Sequence, residues 1–120
     1  MSFDSDIRRM AKKTGIEVEE AIRKVAFDAH KMIAKKTPKD NGTAQANWNV
    51  SVGNIDKSVD MEATKIQTPM LRKGDGLKPI YIVNSLPYIR RLEHGHSKQA
   101  RNPNGMVRVT INEFKNYYFK

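Results

Sequence analysis

The sequence predicts an α+β domain: a long N-terminal helix packed on a small, mostly antiparallel sheet, with a short helix, an extended polar loop and a C-terminal helix. Three stretches carry that prediction. Residues 15–36 repeat apolar side chains at helical steps, residues 46–52 alternate apolar with polar side chains, and residues 80–83 form a β-branched and aromatic run.

The long helix rests on Val18, Ile22, Val25, Ala29, Met32 and Ile33, which fall on one stripe. Thr14 followed by Glu17 has the spacing of a capping box. Glu17, Glu19 and Glu20 near the start, with Lys35 and Lys36 at the end, suit the helix dipole. Pro38 lacks a donor and restricts Thr37, so it stops the helix. Ahead of it, Phe3, Ile7 and Met10 are spaced as a short helix that breaks at Thr14-Gly15. Residues 1–14 are therefore read as an N-terminal arm or short helix.

Lys39-Asp40-Asn41-Gly42 reads as a turn. The following alternation predicts a strand, with Ala46, Trp48, Val50 and Val52 on the apolar face and Trp48 as a core anchor. Residues 57–72 are undecided between strand and helical turn, and Lys73-Gly74-Asp75-Gly76 reads as a flexible polar loop tip. Ile80 to Val83 is a good central strand. Pro87 suits the first turn of a short helix running to about Glu93 and ended by Gly95. Residues 94–105 contain almost nothing apolar and read as an interaction loop. Val107, Ile111, Phe114 and Tyr118 favour a C-terminal helix over a strand through Val107, Val109 and Ile111.

One domain of 120 residues accommodates these elements. The absence of cysteine excludes disulfide frameworks, thiolate nucleophiles and Cys-based zinc sites, and fits a reducing compartment. The first thirteen residues do not read as a signal peptide or an anchor. No run approaches the roughly 18 apolar residues that span a membrane. The net charge of +9 is uneven, because residues 71–120 hold ten Lys/Arg against three Asp/Glu. Such a balance suits either an anionic partner or merely a soluble, self-repelling surface.

A search for catalytic chemistry finds little. His30 lies near, but off, the apolar stripe and is expected to be solvated or hydrogen-bonded. Glu93-His94-Gly95-His96 has a superficial metal-site look, yet no second ligand pair sits at telling spacing elsewhere. Glu113-Phe114-Lys115 has an acid-x-Lys spacing without the upstream acid of a nuclease. No serine elbow or phosphate loop is present. No enzymatic activity, cofactor or metal is expected. What remains is a recognition surface of Tyr88, Arg90, Arg91, Glu93, His94, His96, Lys98, Gln99 and Arg101, rich in favoured interface residues. The same basic set could grip phosphates, although no helix-turn-helix, zinc module or RNA-stacking motif accompanies it.

Two stretches carry a family likeness. One runs from Thr37-Pro38-Lys39-Asp40-Asn41-Gly42-Thr43 to Trp48. The other runs from Ile80 through Asn84, Pro87-Tyr88, Leu92-Glu93-His94-Gly95 and Ser97-Lys98-Gln99-Ala100 to Gly105-Met106-Val107. On these the chain resembles the tail-component family of long-tailed bacteriophages, also called neck or tail-completion proteins, to which the lambda-type minor tail protein Z is similar. The chain departs from the family pattern at Asn41, where Thr is usual, and at Arg101-Asn102, which lengthens the step to Pro103.

The resemblance implies a structural virion protein at the head–tail junction, made in the host cytoplasm and located at the neck or tail end. Its partners would be copies of itself in a ring, with six-fold symmetry expected, and other neck, tail-terminator or tail-tube proteins. Non-specific contact with DNA in the neck is also implied, and no membrane. Within that frame Trp48, Asn84, Pro87, Gly95 and Gly105 are structural: Asn84 is expected to bond the start of the short helix, and Gly95 and Gly105 either aim the 94–105 loop or are ordinary turn residues. The alternative is a small basic nucleic-acid-binding protein.

Overall fold

A computed structural model describes residues 3–38, 42–93 and 105–118. The chain forms helix α1 (Phe3–Thr14), helix α2 (Val18–Lys36), a single helical turn α3 (Thr43–Ala46), strand β1 (Asn49–Val52), strand β2 (Ile80–Val83), helix α4 (Ile89–Glu93) and helix α5 (Val107–Glu113). A 3-10 turn at Asp75–Leu77 precedes β2, and α5 widens into a π turn at Phe114–Tyr118. The fold is α+β, as its sequence predicts.

The α1–α2 hairpin is the base of the core. Ile7 and Ala11 of α1 pack with Ala21 and Val25 of α2, and Phe114 closes the cluster from the C-terminal end. Met10, Ile16, Ile22, Ala29 and Met32 line its margin. The helical stripe therefore does what its spacing demands, removing one face of α2 from water. α2 is also the organising element, since it contacts α1, α3, α5, β2 and the 3-10 turn.

The expected capping box does not form. Thr14 instead donates its hydroxyl to the Met10 carbonyl at 2.8 Å, inside α1. Gly15 takes φ +75 and Ile16 N–H bonds back to Ala11 O at 3.1 Å, the six-to-one bond of a Schellman ending. Thr14 thus ends the first helix. Glu17, in extended conformation and with no side-chain cap bond, precedes the second. A glycine that closes one helix leaves too little chain for Thr14 to open the next.

Among the described residues the sheet has two strands, paired antiparallel with Asn49 opposite Val83 and Val52 opposite Ile80. The predicted strand began too early. Ala46 belongs to α3, where Thr43-Ala-Gln-Ala favours a helical turn, and Trp48 sits just before β1. The turn is stabilised from outside by long-range bonds: Gln45 Nε2 donates to Thr37 O at 3.0 Å, and Asn84 Nδ2 donates to Ala44 O at 2.9 Å. Alternation alone could not reveal those partners. The 94–105 loop, apart from Gly105, lies outside the described residues.

Candidate interaction surface

Residues 53–77 form a strap that runs back along α2. It starts near the C-terminal end of α2, where Asn47 clips it reciprocally. Asn47 Oδ1 accepts Asp60 N–H at 2.8 Å, while its Nδ2 donates to Asp60 O at 2.9 Å and Thr43 O at 2.8 Å. Asn49 adds a bond to Ser58 O at 2.8 Å. The Asp56 carboxylate accepts the hydroxyl and N–H of Ser58, which lowers its pKa. Neither helix nor strand is needed to fix this segment, because side-chain amides supply the partners a sheet would offer.

The strap ends on the first turn of α2. Glu19 Oε1 accepts N–H groups from Gly74 at 2.8 Å and Gly76 at 3.1 Å, and the carboxylate takes two bonds from Arg23, at 2.6 and 3.0 Å. The Arg23 guanidinium, aided by the Gly76 and Gly74 amides, holds the Glu19 carboxyl down at about 2. The loop tip read as flexible is therefore fastened to α2.

Between those fixings the strap turns apolar side chains to solvent. Met61 and Met70 are 60% and 84% exposed there, and Ile55 and Leu77, just outside the two fixings, are 51% and 80% exposed. Pro69, Met70 and Leu71 face Phe27 across a groove of about 470 Å³, rimmed by Glu20, Arg23, Lys24 and Arg72. The sequence left these residues undecided. Their signal was the lack of either period in a stretch that still carries large apolar side chains.

A smaller cavity of about 190 Å³ lies beside His30, Trp48 and Asp56. His30 is buried, and its Nε2 lies 3.0 Å from Trp48 O, so that nitrogen carries the proton it donates. Burial lowers the His30 pKa, and the bond to Trp48 O opposes that in part. Of the two outcomes expected from sequence, solvated or hydrogen-bonded, the second holds.

The residues singled out from sequence divide into three sets. Tyr88 and Arg90 are exposed, before and on α4. Glu93 directs its carboxylate into the chain. It accepts N–H groups from Met106 at 2.8 Å and Val107 at 3.0 Å, while its carbonyl accepts Arg108 Nη2 at 3.1 Å. It therefore ties α4 to the start of α5. Gly105, at φ +101, makes room: a Cβ there would meet the Glu93 carbonyl oxygen at 2.7 Å. Asn84 accepts Leu86 N–H at 3.1 Å ahead of α4, and Pro87 lies in the turn before that helix, which begins two residues later than expected. Trp48 is half-buried. The Arg91 side chain and His94, Gly95, His96, Lys98, Gln99 and Arg101 lie outside the described residues. Glu113, of the acid-x-Lys spacing, pairs with Lys36 at 3.2 Å.

Among the described residues no group of three His, Asp or Glu side chains converges as a metal site, and no helix is long and apolar enough to cross a membrane. Comparison with protein-family models, with curated proteins and with solved structures finds no match to this chain.

Proposed function

We infer that the chain is a structural subunit that works through protein–protein contacts, and that it serves at the head–tail junction of a tailed phage, in a ring at the neck or tail end. The observation that carries the assembly reading is the strap. It is fastened at both ends by long-range hydrogen bonds, yet holds large apolar side chains in water between them. A monomer gains nothing from fixing apolar groups in that way, whereas an interface gains preorganised contact area. The phage assignment rests on the sequence resemblance. The basic C-terminal half supplies a surface for acidic neighbours above or below the ring. No catalytic step is assigned to it.

Phage particles assembled without the protein test the reading. Unjoined heads and tails are the expected result, and normally joined, infectious particles overturn it. Arg90→Ala is expected to weaken assembly while leaving the fold intact. The net charge of +9 favours a second reading, a small nucleic-acid-binding protein. That reading requires a gel shift at micromolar protein and near-physiological salt that weakens steeply as salt rises.

A further inference from the structure

The groove and the tip of the strap at residues 59–62, a turn closed by Ala63 N–H on Asp60 O at 3.2 Å, have complementary chemistry. The groove is lined by the apolar side chains Phe27, Pro69, Met70 and Leu71, and by Arg23, Lys24 and Arg72 against the single acid Glu20. The Arg23 charge is already matched by Glu19, which leaves Lys24 and Arg72 as the basic rim groups. The strap tip has the opposite character. Val59 and Met61 are exposed, at 39% and 60%, and alternate with Asp60 and Glu62.

The two surfaces are anchored at different places on the chain. Asn47 holds the tip beside α3, which Gln45 ties to Thr37 at the C-terminal end of α2. The groove lies on the first half of α2, around Lys24. Thirteen residues of helix separate Lys24 from Thr37, about 20 Å at 1.5 Å per residue. Residues 59–62 do not line the groove of their own chain, and Asn47 pins them in place through both backbone groups of Asp60.

We propose that the 59–62 tip of one copy docks in the Phe27–Met70 groove of a second copy, with Val59 and Met61 against its apolar lining and Glu62 against Lys24 and Arg72. This deepens the assembly reading and rests on it. The contact joins two different surfaces, so it is head-to-tail, and each added copy leaves one tip and one groove open. Repetition closes a ring when the rotation between copies permits. Apolar burial supplies the attraction, and the charges set the register and make the contact sensitive to salt.

Sedimentation velocity on the purified full chain, up to about 1 mM, tests it. That is a weak limit for a specific contact, near 4 kcal/mol. Wild type is expected to associate with rising concentration, and less so in high salt. The groove variant Lys24→Glu/Arg72→Glu and the tip variant Met61→Ser/Glu62→Gln are each expected to associate at least about tenfold more weakly. Mixed together, they are expected to form a one-to-one dimer that grows no further, because one intact tip meets one intact groove. A wild-type chain that stays monomeric, variants that assemble as wild type does, or a mixture that forms no heterodimer each overturn the proposal. Circular dichroism and the thermal midpoint confirm folding. If the groove variant loses stability, Lys24→Gln/Arg72→Gln carries the same test. Normally joined particles lacking the protein sink the head–tail reading alone. A monomer still required for joining sinks this contact alone.

Discussion

The indole N–H of Trp48 donates to the hydroxyl of Thr37 at 2.8 Å, and that hydroxyl in turn donates to the Ile33 carbonyl at 2.8 Å. One buried hydroxyl thus joins the C-terminal end of α2 to the residue just before β1. Thr37→Val keeps the shape but strands the indole donor, with an expected loss of about 1–3 kcal/mol. Trp48→Phe removes the donor, at about 0.5–1.5 kcal/mol, and some packing with the smaller ring. The double variant should lose less than the sum of the two, since they break one shared bond. Urea unfolding followed by circular dichroism measures all three. Because Trp48 is half-buried, Trp48→Ala is expected to fall below the roughly 3–5 kcal/mol of a fully buried aromatic.

Glu93 and Gly105 form a second joint. Gly105→Ala forces a side chain into left-handed backbone, at about 1–2 kcal/mol, before its clash with the Glu93 carbonyl is counted. Glu93→Ala frees the first N–H groups of α5 and is expected to fray it. Arg90→Ala, at an exposed position, should stay within about 0.5 kcal/mol of wild type. Hydrogen exchange of the Met106 and Val107 amides reports the difference directly: faster in Glu93→Ala, unchanged in Arg90→Ala.

Acid should loosen the strap at Glu19. Its carboxyl is held at about 2, against an ordinary 4.5 in the unfolded chain. The unfolded state therefore takes up a proton first as pH falls. The stability from this carboxylate is complete above about 4.5 and is lost as pH drops toward 2. Glu19→Gln should flatten the dependence of the urea midpoint on pH over that window. It should also raise exchange at Gly74 and Gly76 at neutral pH.

His30 gives a pH dependence in a higher window, by the same sign. Burial lowers its folded pKa below the ordinary 6.5, so the unfolded chain protonates while the folded chain resists. Stability should be complete above about 6.5 and decline as pH falls below it. His30→Gln, which retains an N–H for Trp48 O, is expected to remove that decline. The imidazole signals in an NMR titration should move at a pH below that of a free histidine.

The elements themselves were legible because their causes are local. A 3.6-residue stripe ending at Pro38 defines α2, and a β-branched run defines β2. The same local logic misplaced Thr14 and Ala46. In each case a short-range pattern lost to a bond it could not see: the Ile16–Ala11 closure around Gly15, and the Gln45 and Asn84 bonds that hold α3. Glu93 showed the same limit. Its type and exposure-prone charge suggested a partner outside the chain, whereas Met106 and Val107 receive it inside.

By itself, then, the order of residues determined the α+β class, the long helix, the second strand, the C-terminal helix and the basic half of the chain. Tertiary structure alone decided that residues 53–77 lie fastened along α2, and that Phe27 and Met70 face one another across a groove. The reason is physical. Periodicity records which face of an element leaves water, but Glu19 and Asn47 bind backbone groups that every residue other than proline carries. Such partners leave no mark in sequence, and only folding brings them within reach.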